Sequence, residues 1–274
     1  MQYHPGLYIV ATPIGNLGDI TLRAIQTLQN SNYILCEDTR VAKKLLQKYA
    51  ISAKLMIYND HSDDSMRQKI LALIGGGNVI SLISDAGTPL IADPGYKLVE
   101  YLRKYQSHID TTPGPCSVIA ALSLAGMPTD RFIFLGFVPK TINQKIAIFQ
   151  EFVATKATLV FFETAPRIVE SLQVALQELG NRDCSIVREI TKIHQEVISG
   201  KIQDLLDAMQ QRPQLKGEIV LLISQTKEVM QDSDIITKLR LLTSAGFSKS
   251  DAAKIVASLF VINKNKAYKL LLHI

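Results

Sequence analysis

The residues best suited to chemistry lie in three loops. Residues 11–19 read ATPIGNLGD, residues 84–95 read SDAGTPLIADPG, and residues 112–117 read TPGPCS. Glycine lets backbone approach a ligand closely, and proline fixes the path of a loop. One such loop is a plain turn, but three of this length and composition predict a shared small-molecule site. The usual nucleotide and hydrolase motifs are missing. Pro13 stands where a GxGxxG loop needs glycine, and neither GxxxxGK[ST] nor GxSxG occurs. The five histidines and three cysteines show no metal-ligand spacing and no disulfide framework. What remains is a backbone-rich crevice, suited to a cofactor that is itself reactive and that the protein orients.

The elements that position these loops follow from the hydrophobic pattern. Strands are expected at 7–11, 33–36, 54–58, 79–84 and 109–112, alternating with helices at 22–28, 41–49, 66–74 and 96–105. Asp19 or Thr21 caps the first helix, and Asp63 or Asp64 the third. Gly75-Gly76-Gly77 resembles a phosphate loop but precedes a strand, so it reads as a helix stop. This alternation predicts a parallel α/β domain over 1–116, with the three loops at the carboxyl ends of its strands. Helix 117–125 leads to a second α/β domain, 117–226. Its strands fall at 132–135, 158–162, 185–189, 194–199 and 218–224, and its helices at 144–153, 168–179 and 202–209. Closely spaced strands at 185–189 and 194–199 imply antiparallel pairing and hence a mixed sheet. Residues 225–232 read as a polar linker. A small helical domain, 234–274, completes the fold; Gly246 breaks it, Ser248 with Asp251 resembles a capping box, and Asn263 separates its last two helices.

With 47% hydrophobic and 20% charged residues, the chain is globular rather than disordered. Its longest nearly apolar stretch, 118–127, is too short to span a bilayer, and the start lacks the basic region of a signal peptide. A soluble, cytoplasmic protein is expected, with Cys36 and Cys184 as core thiols. The net charge is +5, and residues 234–274 carry seven lysines and arginines against two aspartates. The whole positive excess therefore lies in the tail, which predicts a polyanionic partner there.

Six blocks resemble the ribosomal-RNA branch of the tetrapyrrole methylase superfamily. They are residues 7–19, Cys36-Glu37-Asp38-Thr39-Arg40, residues 84–95, residues 113–117, Arg188-Glu189-Ile190-Thr191-Lys192, and Gly217-Glu218-Ile219-Val220-Leu221. The likeness runs from about residue 7 to residue 223, and the basic tail resembles an extra carboxyl-terminal domain of that branch. It implies two α/β domains of the tetrapyrrole methylase type plus the small helical domain, a homodimer, and S-adenosylmethionine bound in the cleft. Carried over residue by residue, the cofactor is expected at Pro13, Gly15, Ser84, Asp85, Ala86, Thr88, Gly114, Cys116 and Ser117. Phe162, Glu163, Gly217 and Glu218 would border it from the second domain. The implied reaction is methylation of a ribose 2'-hydroxyl, on a decoding-centre cytidine of 16S ribosomal RNA within the small subunit. Two departures stand out: Pro166 replaces a histidine usual before Arg167, and Ser62-Asp63-Asp64 after Asp60-His61 is atypical.

Displacement at a sulfonium methyl needs no metal, but a ribose hydroxyl is a weak nucleophile and something must accept its proton. Candidates are Asp38, His61, Glu189 and Lys192. Each has a duller alternative: a helix cap, a loop hydrogen bond, an ion pair with Arg188, and a phosphate contact, respectively. Glu37, Arg40 and Arg167 are expected on the substrate side, and Lys264, Lys266 and Lys269 on the RNA-docking tail. Alternative functions are a tetrapyrrole C-methyltransferase of the same fold and a non-catalytic RNA-binding assembly factor.

Overall fold

Short apolar runs build a first sheet of β1 (Gly6–Val10), β2 (Tyr33–Cys36), β3 (Lys54–Ile57), β4 (Val79–Leu82) and β5 (Ile109–Thr112). In the computed structural model, which describes residues 3–212, 214–225, 232–259 and 264–272, all its pairings are parallel, in the order β3-β2-β4-β1-β5. Helices α1 (Leu22–Gln29) and α2 (Thr39–Lys48) cover one face, burying Ala24, Leu28, Leu45 and Leu46. Helices α3 (Asp64–Gly75) and α4 (Tyr96–Lys104) cover the other through Ile70, Leu98 and Leu102. A parallel sheet buried on both faces needs near-continuous apolar strands, as β1 has. The caps resolve as Thr21 and Asp63, whose side chains accept from Ala24 N and Met66 N. The glycine triplet ends α3, and Gly77 takes a positive φ of 87°.

Helix α5 (Ser117–Ala125) carries the chain to a second sheet: β6 (Phe132–Phe137), β7 (Thr158–Thr164), β8 (Asp183–Arg188), β9 (Glu196–Lys201) and β10 (Glu218–Ile223). Its order is β6-β7-β10-β8-β9, with only β6 and β7 parallel, so the sheet is mixed. Along β10, Ile219, Leu221 and Ile223 enter the core under α6 (Ile142–Glu151), α7 (Ile168–Leu179) and α8 (Ile202–Gln210). The alternate residues Val220 and Leu222 pack beneath α5. That is the period of two a strand imposes.

Several boundaries shift by two residues from the expected ones. Helix α2 begins at Thr39 because Asp38 caps it, and α6 begins at Ile142 because Thr141 does. Strand β9 starts at Glu196, since His194 and Gln195 remain in a turn closed by Gln195 N on Lys192 O. Strand β7 runs on to Thr164 because β10 pairs with it that far.

Both sheets belong to one compact unit, Met1–Gln225; the second unit is Thr226–Ile274. The latter holds α9 (Asp232–Ser244), α10 (Lys249–Leu259) and α11 (Lys264–Leu272) around Ile235, Leu239, Ala252, Ala253, Val256, Ala267 and Leu271. Ser248 accepts from Asp251 N, capping α10, and Gly246 has φ 93°. Most of the expected linker, 226–231, and the Asn263 break lie outside the described residues. Among the described residues no helix is long and apolar enough to cross a membrane.

Candidate functional site

Strand order brings the three loops together. They follow β1, β4 and β5, which are neighbours in the sheet, so all three leave at one edge. Hydrogen bonds then tie them. Thr12 and Gly87 exchange backbone bonds of 2.8 and 3.1 Å, and Thr12 Oγ1 donates to Ser84 O at 3.1 Å. Thr88 Oγ1 donates to Pro115 O at 3.1 Å. The first loop also reaches the second sheet: Asn16 N donates to Thr191 Oγ1 at 3.0 Å. There Gly15 is required for close approach, because a Cβ would stand 2.6 Å from Lys192 Cγ and 2.7 Å from Thr191 Oγ1.

Between the loops and the second sheet lies a cleft of about 390 Å³, within the size range of small-molecule sites. Its walls include Ile14, Ile91, Val118, Phe162, Ile190 and Val220, with the carboxylates Asp85, Asp93, Glu163 and Glu218 among them. Non-glycine residues in left-handed backbone gather in the bordering loops: Leu90 (φ 73°), Ala92 (63°), Glu189 (50°) and Thr191 (64°). Such strain concentrates where a loop is shaped for a ligand.

The electrostatics are lopsided. Burial, followed by the charges of Asp85 and Asp60, pushes the Asp93 carboxyl up to about 6 despite its hydrogen bond with Ser84. Burial and then Asp93, Asp85 and Asp60 push Glu37 up to about 7. Asp38 goes the other way, to about 2, because Arg40 hydrogen-bonds it at 2.6 Å. Crowded carboxylates of this kind favour a cationic ligand.

Of the residues expected at the cofactor, Asp85, Ala86, Thr88, Cys116, Ser117, Phe162, Glu163 and Glu218 line the cleft. Pro13, Gly15, Ser84, Gly114 and Gly217 do not. Ser84 is buried beneath its loop, and a Cβ on Gly114 would stand 3.0 Å from that of Ala11. Gly217 (φ 109°) leaves room for the Glu189 carboxyl, 2.7 Å from where its Cβ would be.

Asp38 caps α2 and holds Arg40. His61 is exposed, and its backbone N donates to Asn59 Oδ1. Glu189 accepts from Lys192 Nζ at 2.9 Å and from Glu218 N at 3.0 Å. Lys192 also donates to Glu218 at 2.8 Å. Burial opposes both charges, yet this pairing lowers Glu189 and raises Lys192. Arg188 pairs instead with Glu196. Arg167 donates to the carbonyls of Val138 and Pro139 and pairs with the fully buried Glu163 carboxylate at 3.4 Å. Pro166 lies in the 3-10 turn Ala165–Arg167, near the start where proline fits. Lys264, Lys266 and Lys269 all fall in α11, and Lys269 is exposed.

Cleft residues not among the expected site residues include Ile14, Ile91, Asp93, Phe137 and Ile190. Asp93 sits in an Asp-Pro-Gly sequence that reads as a turn. Its signal was weak because nothing local reveals its burial or its approach to Glu37 and Asp60.

The family described as Tetrapyrrole (Corrin/Porphyrin) Methylases matches residues 6–206. Ribosomal RNA small subunit methyltransferase I of Rickettsia prowazekii (strain Madrid E) is 57% identical over 224 residues, covering 82% of this chain and 80% of that protein. The protein of the same name from Escherichia coli O157:H7 is 39% identical over 267 residues, covering 96% and 93%. Among solved structures, uroporphyrin-III-C-methyltransferase from Thermus thermophilus has a TM-score of 0.56 at 17% identity, over 80% of this chain and 94% of that one. Diphthine synthase has a TM-score of 0.61 at 10% identity, over 80% and 90%. At such identities the likeness is one of fold. The family pattern spans well over half of the residues, and it includes the loops after β1, β4 and β5 that form the cleft: the chain belongs to the tetrapyrrole methylase family.

Proposed function

We propose that this chain is an S-adenosylmethionine-dependent methyltransferase of small-subunit ribosomal RNA. Its target would be the ribose 2'-hydroxyl of a decoding-centre cytidine in 16S ribosomal RNA, within the small subunit. The observation that carries this reading is a carboxylate-bordered cleft in a chain 57% identical, over 224 residues, to a protein named as a small-subunit ribosomal RNA methyltransferase. The rival substrate, a tetrapyrrole, is supported by the family's description and by fold-level likeness to solved enzymes at 17–18% identity, against 57% for the ribosomal RNA methyltransferase. An assembly factor with no catalysis gives no reason for a formed cleft with charge suited to a cation.

The cleft fits the cofactor in chemistry. Burial first, and then neighbouring carboxylates, raise the Asp93 and Glu37 carboxyls, so a sulfonium cation beside Asp93 and Asp85 would meet favourable charge. Asp85, Ala86, Thr88, Cys116 and Ser117 would hold it from the first sheet, and Phe162, Glu163 and Glu218 from the second. When bound, the cofactor supplies a methyl group whose leaving group is already activated by its charge. The residues around it orient the attacking hydroxyl and exclude water, an effect of roughly 7–11 kcal/mol when alignment is good.

For the proton of that hydroxyl we favour Asp93, with Glu37 as its neighbour. A carboxylate held near 2, as Asp38 is, has little proton affinity at neutral pH, whereas one near 6 suits a general base. Glu189 and Lys192 are occupied with each other and with Glu218, so they hold the loop rather than move a proton. Cytoplasmic location and a homodimer complete the proposal. Calorimetry with S-adenosylmethionine and mapping of ribose methylation in ribosomal RNA, from cells with and without the protein, test it. A missing methyl group in the deficient cells is expected; an unchanged methylation map refutes it.

A further inference from the structure

The body of the chain has no net charge, yet its charge is not evenly spread. Carboxylates gather at the cleft, and cations gather along α2. That helix buries Ala42, Leu45 and Leu46, so the opposite face is open. Arg40, Lys43, Lys44 and Lys48 lie on that face and are all exposed. The spacing i, i+4, i+8 of Arg40, Lys44 and Lys48 puts them in one row, about 6 Å apart along the axis. Arg40 is paired with Asp38, whereas Lys43, Lys44 and Lys48 have no carboxylate within 4.0 Å among the described residues.

Both ends of the row are informative. Helix α2 starts at the cleft edge, where Asp38 N donates to Asp85 Oδ1 at 3.4 Å. Its last turn opens onto a second depression, lined by Gly15, Asn16, Lys48, Tyr49, Lys192 and His194 among others. That depression adjoins the cleft. Ile14 and Ile190 line one side, while the next residues, Gly15 and Thr191, line the other.

We propose that the exposed face of α2 and the depression at its end form a track for the sugar-phosphate backbone of single-stranded RNA. The argument is charge complementarity joined to position. A polyanion is repelled by the carboxylates of the cleft, so its phosphates need a cationic path alongside while one ribose enters. The row of lysines provides such a path, leading to the cleft edge. This inference rests on the ribosomal-RNA reading and adds a substrate-binding surface outside the basic tail.

The test uses the full chain, wild type and the triple variant Lys43→Gln, Lys44→Gln, Lys48→Gln. Glutamine keeps the helix propensity of lysine. Binding of a fluorescein-labelled oligocytidylate is followed by anisotropy over a range of salt concentrations. Loss of three phosphate contacts lowers the slope of log affinity against log salt by about 2, at roughly 0.7 per single-strand phosphate. The tail lysines are present in both proteins, so their contribution cancels. Affinity for S-adenosylmethionine stays unchanged. An unchanged salt slope overturns the track. So does an altered sedimentation coefficient with unaltered RNA binding, which would make this face a contact between copies. Joint loss of cofactor and RNA binding also overturns it, by assigning the lysines to the cleft. Failure of the wild type itself to methylate ribosomal RNA is a separate result, and it refutes the functional reading instead.

Discussion

Asp93 and Glu37 have carboxyl pKa values raised to about 6 and 7, and this has consequences for both rate and stability. A general base works deprotonated, so kcat/KM is expected to rise with pH through the range 6–7 and then level off. Asp93→Asn should lower methyl transfer by about 10²–10⁴-fold while leaving calorimetric cofactor affinity within a few-fold. Full activity in that variant would remove Asp93 from the mechanism. The stability effect has the opposite sign. A folded-state pKa above the unfolded value stabilises the fold at low pH, and that contribution is lost as pH rises through the folded value. Glu37→Gln removes the unfavourable charge, so the variant should melt a few degrees higher than wild type at pH 8, since about 1 kcal/mol corresponds to about 2–4 °C. The difference should disappear below about pH 4.5, the ordinary value for this group. At Gly217 the constraint is steric. Alanine there meets an unfavourable φ and the Glu189 carboxyl together, so Gly217→Ala is expected to cost about 1–3 kcal/mol in chemical denaturation.

At the scale of elements, the cleft depends on loops locked to one another rather than on any single loop. Thr12 is the central tie, with its backbone bonded to Gly87 and its buried hydroxyl donating to Ser84 O. Thr12→Val keeps the shape and leaves that carbonyl short of a partner, a loss of about 1–3 kcal/mol. The prediction is a lower melting temperature accompanied by weaker cofactor binding, because the loop after β4 loses its side-chain tie to Thr12 and keeps only the backbone bonds at Gly87. A drop in stability with unchanged cofactor affinity would show that the cleft tolerates a loose loop. The loops were legible in the sequence because glycine and proline mark them. Their mutual ties were not, since Thr12 and Ser84 are 72 residues apart.

At the scale of the whole molecule, the tail has its own core of Ile235, Leu239, Val256 and Leu271 with closely packed alanines. The body likewise closes its two sheets without it. A chain ending at Gln225 is therefore expected to melt cooperatively and bind S-adenosylmethionine as the full chain does. Its RNA affinity should fall and depend less on salt, because the tail carries the whole net charge of +5. A truncated body that unfolds, or binds RNA with the same salt slope, would contradict the docking role of the tail.

The sequence by itself determined the strand-helix alternation, the mixed second sheet and the helical tail. These follow from periodicity and end signals carried by neighbouring residues, such as Thr21, Asp63 and Gly77. The family was legible for a similar reason, since its blocks are contiguous. Tertiary structure alone decided the strand order β3-β2-β4-β1-β5, and with it the meeting of three loops from adjacent strands. It also decided which charges feel one another. Arg188 took Glu196 as its partner rather than Glu189, and Glu189 took Lys192. Asp93 gained its raised pKa from burial, from Asp85 at the far end of its own loop and from Asp60 on another. Electrostatic environment depends on distance through space and on exclusion of water, and neither quantity is encoded locally along the chain.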